Sequence, residues 1–209
     1  MTQNAGTVVR WATAIAIVVM GSASAAPAAV IYVNIDPDRI LTGETFIFDV
    51  DNDGTKDLLF DQQTNCVGNC QTIASVSALS GAILMSSPTD VTPLPAGTII
   101  GPGGLTYGPG GLLATDFFSG NPPVTTNEEG LWDNGLLAFV GFNFVNASGT
   151  HYGWARVKVD ETSNVITVFD AAYEDVAGTA IQASVPEPGL SALLLAGAAA
   201  MAVRRFRRA

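Results

Sequence analysis

Histidine and cysteine are almost missing from this 209-residue chain, which holds one of the first (His151) and two of the second (Cys66 and Cys70). A lone histidine needs partners before it can act as a general base or a zinc ligand. No G-x-S-x-G, H-E-x-x-H or phosphate-binding glycine loop supplies them. Two cysteines need two further ligands to hold zinc, and three residues lie between them where a redox C-x-x-C has two. Basic residues are also few, 9 against 19 acidic ones. Between residues 29 and 185 the basic set shrinks to Arg39, Lys56, Arg156 and Lys158, whereas Glu187 alone of the acidic set lies outside that range. So acidic a segment repels phosphates and anionic lipid, which excludes nucleic acid as a partner and favours divalent cations. Most of these carboxylates serve solubility.

Helical periodicity is scarce as well, and period-two alternation takes its place. Ile31, Val33 and Ile35 alternate with Tyr32, Asn34 and Asp36, which predicts a strand with one buried face. Phe46, Phe48 and Val50 form a second set, Leu58 to Phe60 a third, and Ile73 to Met85 reads as a longer β segment. Prolines 88, 93, 95, 102, 109, 122 and 123 predict a loop-rich stretch without long central strands. Within it Gly101-Pro102-Gly103-Gly104-Leu105 recurs as Gly108-Pro109-Gly110-Gly111-Leu112, two copies that read as tight turns. Leu136 to Val145 is an apolar strand. His151 to Asp160 places Gly153, Ala155, Val157 and Val159 on one face and Tyr152, Trp154, Arg156 and Lys158 on the other. A polar turn to Asn164 then leads into Val165 to Phe169 as its hairpin partner. The expected fold is all-β, a single β-sandwich or jelly-roll-like domain over residues 29–185.

The two ends have a different character. Arg10 precedes the apolar run Trp11 to Met20, and Ala23-Ser24-Ala25 and Ala26-Pro27-Ala28 are candidate cleavage sites. Residues 1–28 therefore read as a secretory signal peptide, with the Sec translocase and signal peptidase as partners because no twin arginine precedes the run. At the other end stand Pro186-Glu187-Pro188, the apolar Leu190 to Val203, and a basic stop of Arg204, Arg205, Arg207 and Arg208. As a helix the apolar run spans about 21 Å, short of a bilayer core of about 30 Å. The arginines offset this, since they snorkel and hold the end on the cytoplasmic side. The prolines keep the marker extended and open to a protease.

In that order, these parts resemble the PEP-CTERM sorting signal of Gram-negative bacteria over residues 186–209. The resemblance implies recognition by an exosortase, a membrane protease-transpeptidase. It also implies transient anchoring in the inner membrane, then delivery to the cell surface or an exopolysaccharide-rich extracellular matrix. The segment from His151 to Arg156, with Ala172-Tyr173-Glu174, is similar to a pattern found upstream of that signal in many such proteins. The implied role is structural or adhesive, without enzymatic activity. In an exported chain a Cys66–Cys70 disulfide is favoured, closing a small loop for about 2 kcal/mol at best.

One constellation carries chemistry. Asp49, Asp51, Asp53 and Asp57 occupy positions 1, 3, 5 and 9 of a loop with Gly54 at position 6 and the Thr55 carbonyl at position 7. A loop coiled about Ca²⁺ turns such alternate oxygens inward. Phe60 stands where an EF-hand needs glutamate and the flanks are strands, so the loop instead resembles the D-x-D-x-D-G-x-x-D loops of extracellular β repeats. The expected affinity is weak, roughly 10⁻⁴–10⁻³ M. The competing reading is an Asx-bonded hairpin turn that binds nothing.

Two other functions remain open. Trp132, Trp154 and Tyr107 are candidates to stack on sugar in a carbohydrate-binding module. A secreted hydrolase would need a pair such as Glu128 or Glu129 with Asp133, or His151 with a nucleophile. A solvated acidic loop accounts better for the carboxylates, and a surface or interface role for His151.

Overall fold

The computed structural model describes residues 28–67, 69–103, 106–119, 124–132 and 135–184. Residues 1–27 of the expected signal peptide and the whole expected sorting segment, 186–209, lie outside the described residues. The described residues form fourteen strands. The first half runs β1 Val30–Leu41, β2 Thr45–Phe48, β3 Leu58–Val67, β4 Asn69–Ala78, β5 Gly81–Leu84, β6 Pro93–Leu94 and β7 Ile99–Ile100. The second half runs β8 Tyr107–Gly108, β9 Gly110–Ser119, β10 Val124–Gly130, β11 Leu137–Asn146, β12 Gly149–Val159, β13 Ile166–Glu174 and β14 Ile181–Gln182.

The described residues are all-β, and their named strands pair antiparallel throughout. One sheet runs β1-β13-β12-β11-β5-β8, with β6 also on β11; the second runs β10-β9-β4-β3-β2. Phe60, Val76 and Leu113 of the second sheet share one buried cluster with Val140, Phe142, Val157 and Val168 of the first. Two sheets with their apolar faces on a common core are consistent with a β-sandwich.

Alternation marks this inner face correctly on β12, where Ala155 and Val157 are fully buried. The opposite face of the same strand departs from expectation. Tyr152 and Trp154 are buried too, because the short β7–β14 ribbon lies over them with Ile100 and Ile181. Phe139 meets the Trp154 ring edge-on at 5.1 Å between centroids. The larger sheet is thus covered on both sides. Arg156 on that face pairs through Nε and Nη2 with the buried Asp170 carboxylate, which also accepts the Tyr32 hydroxyl of β1 at 2.6 Å.

Two other expectations change. The segment from Ile73 to Met85 is not one strand, since the chain leaves the smaller sheet after Ala78 and enters the larger one at Gly81. Gly81 lies so close to β11 that a Cβ there would sit 1.9 Å from the Asn143 carbonyl oxygen. The proline-rich region does hold a long central strand, the ten-residue β9 between β10 and β4. Pro109 immediately precedes it, where a missing N–H costs no ladder bond. The second glycine-proline copy therefore opens a strand.

Candidate metal centre

The acidic loop links β2 to β3 and is wound by its own aspartates. Asn52 and Gly54 take left-handed backbone angles, φ 58° and 95°, which asparagine and glycine tolerate best. Asp51 Oδ1 accepts the Asp53 N–H at 3.1 Å and Asp53 Oδ1 the Thr55 N–H at 2.7 Å, two Asx turns in succession. Asp49 Oδ2 takes the Gly54 N–H at 3.0 Å, and Asp57 Oδ2 reaches back to the Val50 N–H at 2.8 Å.

This winding brings together three of the expected ligands. Asp49, Asp51 and Asp57 each offer an oxygen within 4.8 Å of the others, a group able to hold a metal ion. Asp53 stays outside that group, exposed and engaged with Thr55, and Thr55 is itself exposed.

The electrostatics of the group favour a cation. Asp57 is 2% exposed, and its oxygens accept the Val50 N–H and the Ser80 hydroxyl. Burial pushes its carboxyl above the usual carboxylate range; those two hydrogen bonds oppose the shift and the charges of Asp51 and Asp49 add to it. The cation in contact is Lys56, whose Nζ lies 3.4 Å from Asp49 Oδ2, but its side chain is 55% exposed and screened by water. Asp49 is only 10% exposed at its side chain, and its Oδ1 is shut from solvent with no hydrogen-bond partner. A buried carboxylate oxygen left so costs desolvation energy that a bound ion would offset. An all-oxygen donor set suits hard cations rather than thiophilic metals.

A second polar group reaches the loop from β11 and β12, and nothing in the sequence pointed to it. Asn146 Nδ2 donates to Asp51 Oδ2 at 2.9 Å across 95 residues of chain. Beside it, Ser148 Oγ is 2.7 Å from His151 Nε2, and His151 Nδ1 is 2.8 Å from the Glu174 carbonyl oxygen. His151, expected at a surface or an interface, is not at the surface: it is 2% exposed and stacks on Phe144 at 5.3 Å. A turn at Asn146-Ala147-Ser148-Gly149 was a possible signal for the hairpin, but its register against the acidic loop needed the fold.

The remaining candidates are dispersed. Trp132 and Trp154 are both fully buried, so neither ring faces a sugar from solvent; Trp132 Nε1 donates to the Val91 carbonyl at 3.0 Å. Tyr107 is half-buried, with its hydroxyl 3.2 Å from the Gly101 carbonyl oxygen, and burial pushes its phenol up to about 12. Glu128 and Glu129 belong to β10, and Asp133 lies outside the described residues. Cys66 and Cys70, cross-strand partners in the β3–β4 hairpin, form a disulfide. No family model, curated protein or solved structure matches the chain.

Proposed function

We propose that this chain is an exported, non-enzymatic protein of the cell surface or extracellular matrix, structural or adhesive in role, with a sandwich-type domain that binds Ca²⁺ at its acidic loop. The observation that carries the binding reading is the Asp49–Asp51–Asp57 group with its unsatisfied buried Asp49 oxygen. Three carboxylates fall short of the six to eight oxygens Ca²⁺ takes, so backbone carbonyls and water complete the shell. Export and sorting rest on the two ends of the sequence. The Sec translocase and signal peptidase would act on the first, and an exosortase-type membrane protease at Pro186-Glu187-Pro188 on the second. Exopolysaccharide is the expected neighbour of the delivered protein.

Two rival readings meet specific obstacles. A carbohydrate-binding module loses its best platforms because Trp132 and Trp154 are enclosed. The hydrolase reading gains one contact absent from the sequence, the Ser148–His151 hydrogen bond. Yet the Ser148 hydroxyl is equally close to Asn146 Oδ1, at 2.7 Å, and its N–H, a natural oxyanion donor, is spent on that same oxygen at 2.9 Å.

Calorimetry on the exported form tests the proposal. Addition of millimolar Ca²⁺ is expected to give a saturable heat with Kd of roughly 10⁻⁴–10⁻³ M. No heat and no rise in melting temperature would remove the calcium reading.

A further inference from the structure

We infer that Asn146 is a positioning residue for the cation ligand Asp51, so that the metal centre is a composite of the acidic loop and the β11–β12 hairpin. This rests on the cation reading of the Asp49–Asp51–Asp57 group, which the orphaned Asp49 Oδ1 supports independently of any bond within the loop.

The orientation of Asn146 is fixed at both ends. Its Oδ1 accepts the Ser148 N–H at 2.9 Å, so the amide must turn Nδ2 toward Asp51, where it donates to Oδ2 at 2.9 Å. Its Oδ1 also lies 2.7 Å from Ser148 Oγ and 3.1 Å from His151 Nε2. The imidazole in turn cannot swing. The Glu174 carbonyl only accepts, so the Nδ1–H donates to it, and the ring is stacked on Phe144 and met edge-on by Tyr173 at 6.2 Å. Asn146 thus ties the β11–β12 hairpin to an oxygen of Asp51.

The loop needs such an anchor. Residues 52–56 are exposed, and the like charges of Asp49, Asp51 and Asp57, two half-buried and one buried, repel one another unless something holds them. Asp51 accepts one hydrogen bond on each oxygen, from the Asp53 N–H and from Asn146. A carboxylate offers about four acceptor sites, which leaves lone pairs free for an ion. The carboxylate is held in place without being used up, as outer partners of metal ligands do.

The test compares Ca²⁺ titration of the wild-type protein and of Asn146→Ala by calorimetry, at a temperature where melting in EDTA shows both fully folded. Asn146→Ala is expected to weaken binding about 10–100-fold with unchanged stoichiometry. Ser148→Ala, which leaves the Asn146–Asp51 bond in place, is expected to weaken it less. If Asn146→Ala fails to fold, Asn146→Ser serves for the same comparison, since its short side chain cannot span to Asp51. Equal affinities in wild type and variant would overturn the inference while leaving the cation site standing. Absence of binding by the wild type would instead overturn the cation reading itself.

Discussion

Asp57→Ala is expected to lower the unfolding free energy by about 2–4 kcal/mol and to abolish stabilisation by calcium. The first effect follows from the two donors that converge on this carboxylate, the Val50 N–H and the Ser80 hydroxyl. Leaving the buried Val50 N–H unsatisfied costs about 1–3 kcal/mol, and the half-buried Ser80 hydroxyl, which water can reach, adds about 1 kcal/mol. The second follows from its place in the metal-binding group. With Kd of roughly 10⁻⁴–10⁻³ M, 10 mM Ca²⁺ adds about 1.4–2.7 kcal/mol to the wild type. Asp57→Asn separates the two effects, because the amide oxygen can still accept from Val50 while the Ser80 hydroxyl reverses to accept from Nδ2. That variant should melt near the wild type in EDTA yet show no response to calcium.

The same substitution has a pH signature. Burial raises the Asp57 carboxyl in the folded state, so the folded protein holds a proton that the unfolded chain releases. In EDTA its contribution to stability is therefore fully present below the unfolded value of about 3.9 and is lost as the pH rises through the folded value. Asp57→Asn flattens that portion of the wild-type profile. Denaturant melts across the acid range in EDTA read both curves, and identical slopes would show that Asp57 carries no such linkage.

Trp154→Ala is expected to cost about 3–5 kcal/mol, a fall in melting temperature of about 10 °C. The ring is fully buried between the larger sheet and the β7–β14 ribbon, with Phe139 at its edge. A surface platform for sugar would behave otherwise, since exposed substitutions usually stay within about 0.5 kcal/mol. Thermal melting of Trp154→Ala thus decides between a packing role and a glycan-binding one. A variant with wild-type stability would reopen the carbohydrate reading.

The difference between what alternation shows and what it hides explains where expectation and structure part. Period-two patterning located β11, β12 and β13 because each lines a core with Val, Phe and Ala on one face. It could not show that Tyr152 and Trp154 on the other face would be covered. The cover is a pair of two-residue strands, β7 and β14, too short to leave a pattern and paired across a long stretch of chain. The acidic loop was legible for the same local reason, since Asp, Asn and Gly at close spacing set turn chemistry directly. Which of its carboxylates converge was less so, because even spacing does not show that Asp53 is spent on the Thr55 N–H while Asp57 folds back to the Val50 N–H. The Asn146 support was invisible, as it depends on the hairpin between β11 and β12 meeting a loop 95 residues earlier.

Intact mass spectrometry of the protein recovered from the cell surface tests the central claim, that an acidic β domain is exported and trimmed at both ends. The expected mass is that of a chain beginning near residue 29 and ending near Pro186, less the two hydrogens lost when Cys66 and Cys70 join. Full-length protein confined to the cytosol, with both cysteines reduced, would contradict it.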